Sequence, residues 1–455
     1  MRKENMLTEG PILKGLALFA LPILVGQIFQ QLYNTADAMI VGQFLSDQEY
    51  AAVSSSGSLV FLLIGFFAGI SMGAGVVIAR YFGAKDWELL HVAIHTTVAF
   101  GLIAGVALTA IGMVLTPQIL RLMSTPESVM QYSVQYFRMY FAGALGISLY
   151  NLLRGILQAV GDSKHPLYYL IFSSLINIGL DLLFIGVFHW GVWAAALATS
   201  ISQCFSAVLC LIRLMREREE YRVELREIRL ERAMFLEVLR NGVPAGIQNS
   251  IIAFANVVVQ SNINSFGAVA VAGCGTYSKL EGFAFLPITC ITMALTTFVS
   301  QNLGAGRQDR VRKATRVGIL TAITMAELIG LSILTFGPTL MRLFTDNPDS
   351  IAVGMQQVHV EVLFYFALAF THSIASILRG AGMPMVPMFV MLGVWCVLRV
   401  TYISIMVPIF RDIRVVFTAY PLTWSISSII FLIIFLKTDW INNYKRKAER
   451  AEQAQ

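Results

Sequence analysis

The chain has 455 residues, 56% hydrophobic and 13% charged, with a formal net charge of +6 and a mean hydropathy of +0.69. A soluble domain carries about a quarter charged residues, so the composition excludes a soluble fold and points to an integral membrane protein. The apolar runs are long where a β-barrel would alternate, which makes the protein helical. Its positive charge sits in short loops between those runs, as membrane topology requires, which excludes nucleic acid as a partner.

Twelve apolar segments follow one another: 14–41, 51–80, 91–116, 129–157, 166–188, 191–215, 234–264, 268–300, 311–336, 350–377, 384–410 and 414–437. Each exceeds the ~20 residues that cross ~30 Å of hydrocarbon. The first is too long for the core of a cleavable signal peptide. Of the 33 Lys and Arg, only Arg121, Arg342, Arg411 and Arg414 fall in the loops on one side. Arg138, Lys279 and Arg399 lie inside segments, and all the others lie on the opposite side. That bias places both termini in the cytoplasm. The charged stretch 216–233 reads as a cytoplasmic linker between a six-helix lobe at 1–215 and a second at 234–437, followed by a basic cytoplasmic tail at 438–455.

The halves repeat. Leu21-Pro22-Ile23 matches Val243-Pro244-Ala245, and Ala79-Arg80-Tyr81-Phe82-Gly83-Ala84 matches Ser300-Gln301-Asn302-Leu303-Gly304-Ala305. Gln158-Ala159-Val160-Gly161 matches Arg379-Gly380-Ala381-Gly382. All three pairs stand 221 or 222 residues apart. An even number of helices per half makes the repeat parallel, with its axis along the membrane normal. The expected architecture is all-α, twelve transmembrane helices in two pseudo-symmetric bundles around a central cleft.

Chemistry concentrates in the first half. Pro22 removes a hydrogen bond inside segment 1 and predicts a kink that acts as a hinge. Gln30, Asn34 and Asp37 follow at helical spacing on that segment. Gly65, Gly69 and Gly73 form a small-residue series on segment 2 that predicts close helix packing. Tyr136 supplies a hydroxyl in segment 4. In segment 5, Asn177 and Asp181 share a face with Ser173 and Ser174. Thr199, Ser202, Gln203 and Ser206 make a polar stripe on segment 6. A carboxylate near the bilayer centre costs roughly 2.5–3.5 kcal/mol even on the gentlest scale. At the repeat offset Asp37 falls on Val259, Asn177 on Leu398 and Asp181 on Tyr402, so the fold does not require these acids. Asp37 and Asp181 at similar depth predict a proton or monovalent-cation site. In the second half Asn249, Asn256, Gln260 and Asn264 share one face of segment 7, to bind substrate polar groups or to pack helices. Arg399 is placed either to pair with Glu361 or Glu281 or to snorkel toward the membrane surface from near a helix end. The five cysteines, Cys204, Cys210, Cys274, Cys290 and Cys396, form no CxxC and read as small helix residues. No His/Glu metal pattern lies within the spans, which argues against an enzyme.

With Asp37-Ala38-Met39-Ile40-Val41-Gly42, Gln158-Ala159-Val160-Gly161-Asp162, Asn177-Ile178-Gly179-Leu180-Asp181 and Gln301-Asn302-Leu303-Gly304-Ala305-Gly306, the chain resembles the multidrug and toxic compound extrusion (MATE) family from Leu21 to about Leu436. The resemblance implies a non-enzymatic antiporter. It would export cationic or amphipathic organic compounds in exchange for H+ or Na+, by alternating access between two lobes, as a monomer in the inner or plasma membrane with no cofactor. It carries a first-lobe coupling site onto Asp37, Gln30, Tyr136, Asn177, Asp181 and Thr199, with Asp37, Asn177, Asp181 and Thr199 as the ligands if the ion is Na+. Asn34, Asn249, Asn256 and Gln260 are the candidate substrate-cleft residues. Segment 7 lacks the acid that one branch of the family carries, and segment 10 has only Glu361, so the resemblance places coupling in the first lobe alone. A flippase for lipids or lipid-linked saccharides is the alternative. Such cargo calls for basic residues in the cleft, whereas the sequence offers acids.

Overall fold

The computed structural model describes residues 7–122, 125–216 and 219–442, and among these it is helical with no strand. The expected tail lies outside the described residues from 443 onward. In chain order the long helices are α1 (Ile12–Phe44), α2 (Asp47–Ala84), α3 (Trp87–Leu122), α4 (Glu127–Ala142), α5 (Ala144–Ala159), α6 (Lys164–Asp181) and α7 (Trp193–Met215). They continue with α8 (Arg232–Asn264), α9 (Ala268–Gly304), α10 (Gln308–Met341), α11 (Pro348–Glu361), α12 (Tyr365–Gly380), α13 (Met385–Met391), α14 (Arg399–Phe410) and α15 (Arg414–Lys437). Eleven spans are long and apolar enough to cross a membrane, and the pair α4 and α5, bent by 47°, makes a twelfth.

Two of the expected spans are broken, and at equivalent places. The first breaks at Gly143, where a Cβ would meet Ser200 Oγ of α7 at 2.0 Å; only glycine lets the backbone come so close. The second breaks over Val362–Phe364, a single 3-10 turn between α11 and α12. That break frees the amide of Phe366, and Glu327 of α10 accepts it through Oε1 at 2.9 Å. In a hydrocarbon setting a freed backbone amide needs such a partner.

The repeat extends to backbone conformation. Among non-glycine residues only Lys85, His189 and Arg411 have positive φ within the described chain. Lys85 corresponds to Gly306, Gly161 to Gly382 and His189 to Arg411 at the repeat offset, and all six are left-handed. The same turn therefore recurs at three corresponding points. α6 continues into a π-helical turn at Leu182–Val187, and α14 is preceded by another at Leu392–Leu398. Asp181 and Arg399 are the residues that abut these turns, and such local widening of a helix is frequent at functional positions.

By packing, the chain divides into two compact units, Pro22–Gly246 and Met1–Leu21 with Ile247–Gln455. The divisions fall inside α1, at Pro22, and inside α8, two residues after Pro244. Each proline interrupts the hydrogen-bond ladder of the helix that changes unit.

In the unit Pro22–Gly246, the core runs through Val77, Ile78, Leu90, Ile94, Leu153, Ile156 and Leu157. Gly69 and Gly73 of α2 cross Gly242 and Gly246 of α8 at backbone contact, the close approach that the small-residue series predicts. Nearby, Glu237 of α8 receives Arg80 Nη1 at 3.1 Å and the Tyr81 hydroxyl at 2.8 Å. In the other unit the core gathers Ile288, Val299, Val358, Leu368, Ile374, Ile377 and Phe431. There the N-terminal segment is tied down by side chains. Asn302 Nδ2 donates to Leu7 O at 2.9 Å, Arg307 Nη1 to Thr8 O at 2.7 Å and Arg310 Nη1 to Gly10 O at 2.9 Å.

Candidate functional site

Asp37 on α1 and Asp181 at the end of α6 turn their carboxyl groups toward one another, near enough to share a proton. Asp181 is fully buried and Asp37 half-buried. As two carboxylates they have no donor: Asp37 Oδ1 and both oxygens of Asp181 are buried and unpartnered. With a proton on one of them the pair becomes a hydrogen bond, and with a cation between them the charges are balanced. An unpartnered pair of charges at such a position is the costly state.

The neighbours are polar groups on three further helical turns. Asn177 is buried one turn before Asp181, and its Nδ2 reaches Thr199 Oγ1 of α7 at 3.5 Å while its Oδ1 lacks a partner. Tyr136 of α4 faces both carboxyls from within the apolar wall formed by Ile40, Val41, Tyr140, Ile147 and Ile185. Gln30 enters through Tyr33, whose phenol lies beside Gln30 and Gln203 and close to both acids. The structure thus brings Asp37, Asp181, Asn177, Thr199, Tyr136 and Gln30 into one neighbourhood. Tyr33 belongs with them although sequence reasoning passed it over; its position one turn before Asp37 is the signal that would have found it. Of the segment 6 stripe, Gln203 lies beside Tyr33, while the two serines bond to backbone carbonyls. Ser202 donates to Thr199 O at 2.9 Å and Ser206 to Tyr169 O at 3.3 Å. Ser173 and Ser174 likewise both donate to Leu170 O, the usual fate of hydroxyls in such helices.

The remaining candidates are Asn34 of α1 and three residues of α8. Asn34 is exposed on α1. On α8, Asn256 is exposed, Asn249 half-buried, and Gln260 Nε2 donates to Asn264 Oδ1 at 2.9 Å.

Within the unit Met1–Leu21 with Ile247–Gln455 there is a second buried polar cluster. The Tyr277 hydroxyl lies 2.9 Å from the Tyr365 hydroxyl, 3.2 Å from Glu361 Oε2 and 3.3 Å from Glu281 Oε1. Gln357 Nε2 donates to Glu361 Oε1 at 2.8 Å. A phenol has one proton to give, so Tyr277 satisfies one of the two acids at a time. Arg399 does not close the expected ion pair with either glutamate among the described residues. Its Nη2 donates to Thr423 Oγ1 at 3.0 Å and its guanidinium lies 4.5 Å over the Tyr420 ring. It is buried, with 2% exposure, and so does not reach out to the membrane surface.

Comparison with known proteins bears on the family and the fold. The family model MatE matches residues 22–183 and again 244–404, two copies spaced at the internal repeat. The probable multidrug resistance protein YoeA of Bacillus subtilis is 30% identical over 376 residues, with 81% of each chain covered. The probable multidrug resistance protein NorM of Thermotoga maritima is 27% identical over 84% of this chain and 83% of its own. Among solved structures, an outward-facing multidrug resistance MATE transporter of the MOP superfamily superposes with a TM-score of 0.89 at 23% identity, covering 98% of this chain and 99% of its own. A MATE transporter in a bent conformation gives 0.90, also at 23% identity. At that identity the likeness speaks for the fold.

Proposed function

The chain belongs to the MatE family, the multidrug and toxic compound extrusion transporters, and on that footing we propose that it is a secondary antiporter exporting cationic or amphipathic organic compounds in exchange for H+ or Na+. The observation that carries the reading is the facing pair, half-buried Asp37 and buried Asp181, with Asp37 Oδ1 and both Asp181 oxygens lacking a donor, in a half whose repeat has Val259 and Tyr402 instead. The rest of the proposal follows from the lysine and arginine bias and the repeat. The protein sits in the inner or plasma membrane as a monomer, with both termini and the 216–233 linker in the cytoplasm and lobes at 1–215 and 234–437. It needs no cofactor beyond the coupling ion.

The pair supplies a mechanism. Without a proton or cation, two like charges in a poorly solvating site repel, and the repulsion falls when α1 moves away from α6. With a proton shared or Na+ held by Asp37, Asn177, Asp181 and Thr199, the same groups attract and α1 is drawn in. Pro22 lies one helix segment away and absorbs the bend, because its missing N–H already weakens the ladder there. Ion and substrate then favour different positions of α1, and exchange follows from that difference in affinity between two states. The acids favour cationic cargo over the anionic headgroups of a flippase substrate.

The test is efflux of a cationic dye from proteoliposomes under separately imposed Na+ and pH gradients. Asp37→Asn and Asp181→Asn are each expected to abolish gradient-driven efflux while inserting normally. Full activity in either variant overturns the coupling assignment, and the gradient that drives the parent identifies the ion.

A further inference from the structure

Among the described residues and outside the membrane-spanning acids, one group of side chains has the composition of a metal site. We propose that His91, His95 and Glu227 bind a divalent transition-metal ion with the ligand preferences of zinc, pinning the 219–231 stretch to the start of α3. The two histidines are four residues apart, so both rings leave the same face of α3, and they lie 3.9 Å apart centre to centre. His95 Nδ1 bonds to His91 O at 2.8 Å, an acceptor that takes only N–H. The ring is therefore the tautomer with its lone pair on Nε2, and a histidine that ligates a metal is usually held in just this way through its other nitrogen. That Nε2 faces the linker, where it accepts the Glu224 amide at 2.9 Å. His91 Nε2 faces the linker too, 2.5 Å from Glu227 Oε2.

The three candidate ligand atoms lie within 4.8 Å of one another. Ligands of a tetrahedral ion with bonds of about 2.0–2.1 Å stand roughly 3.3 Å apart, so the atoms are near ligand spacing, and the Glu224 amide gives up the one lone pair of His95 Nε2 when the metal takes it. The group that must move most is suited to it. Glu227 ends a single 3-10 turn, Leu225–Glu227, and its side chain is 53% exposed. Two imidazoles and a carboxylate suit zinc better than calcium or magnesium, which take oxygen ligands. The fourth position faces solvent on the Glu227 side and would hold water. The stretch is already held by Val223, Tyr221 and Ile228 against the core, by the Val223 amide donating to Leu214 O at 3.2 Å and by the Glu231 amide donating to Thr96 Oγ1 at 3.3 Å. A metal would add a cross-link between segments 136 residues apart.

The experiment uses the full chain in detergent with any affinity tag removed. Zinc is titrated against a chromophoric chelator, and trypsin cleavage at Arg222, Arg226 and Arg229 is timed with and without zinc. One zinc per chain is expected, with slower cleavage when it is bound. His91→Ala and Glu227→Gln, both at accessible positions, should each weaken binding by more than about tenfold, the least that losing even an outer-shell partner commonly costs, and remove the protection. Absence of zinc binding, an unchanged affinity in either variant, or cleavage indifferent to zinc overturns the proposal and leaves the cluster a hydrogen-bonded strap.

Discussion

Replacing Gly73 with alanine opposes two effects of known sign. In a helix interior the exchange favours folding by about 0.5–1 kcal/mol, because glycine loses more backbone freedom. At Gly73, however, the new Cβ would stand 2.2 Å from both Cα and N of Gly242. Apolar atoms rest at about 3.5–4.0 Å, so α2 and α8 must part by more than about 1.3 Å at their crossing. The obstacle is backbone on both sides, so no rotamer relieves it. One turn away Gly69 meets Gly246 N at the same 2.2 Å, which stops the helices from simply sliding. Overpacking of this kind costs about 1–3 kcal/mol, more than the propensity gain, and Gly73→Ala is therefore destabilising. Gly75 lies on the same helix, and its Cβ would find only Gly155 O at 3.7 Å, an ordinary contact. Gly75→Ala is expected to be neutral or slightly stabilising. Thermal unfolding of the purified variants in one detergent reads the difference. A Gly73→Ala protein that melts with or above Gly75→Ala refutes the argument that backbone contact, and not helix propensity, governs α2.

Three other outcomes follow from named contacts. Glu361→Leu removes the acceptor of Gln357 Nε2 and should cost about 1–3 kcal/mol as a buried unsatisfied donor, whereas Glu361→Gln keeps an acceptor oxygen and should cost less; equal melting temperatures would contradict this. Arg310→Ala loses bonds to the carbonyls of Leu7, Glu9 and Gly10, so cleavage after Glu9 by a glutamate-specific protease should speed up, and unchanged protection would show that Asn302 and Arg307 suffice. Glu231 accepts the Ala233 and Met234 amides at the start of α8, which holds its carboxyl below the usual range. Its contribution is present above the unfolded carboxylate pKa and is lost as pH falls through the lower folded value. Glu231→Ala should therefore narrow the gap in melting temperature to the parent on acidification, and a gap that widens at low pH would overturn the sign.

The spans and the repeat were legible because lipid imposes them. Twenty apolar residues between basic loops leave a chain few alternatives. The helix breaks were not legible in that way. Gly143 is one glycine among 35, and the stretch around Val362–Phe364 contains neither glycine nor proline. The amide freed there is met by a tertiary contact, Glu327 Oε1, which local sequence does not encode. The change of unit within α1 and α8 is likewise a matter of packing, although both prolines mark the place. Asp37 and Asp181 were legible because each is expensive in lipid, and expense predicts a partner. Tyr33 was missed because an aromatic residue in an apolar run looks like packing, and the Glu281–Glu361 approach was missed because nothing in spacing relates two acids that far apart.

That second cluster sharpens what the repeat says. Asp181 corresponds to Tyr402, whose hydroxyl meets Thr418 Oγ1 at 3.0 Å, and Glu361 corresponds to Tyr140, which stacks beside Tyr136. Each half therefore places two acids together, and each does so where the other half has tyrosine or an apolar residue. If carboxyl pairs were needed to pack six helices, they would recur at matching positions, as the left-handed turns do. They do not recur there, so neither pair is part of the scaffold that the halves share. The cost of burying each pair is carried by its own half alone.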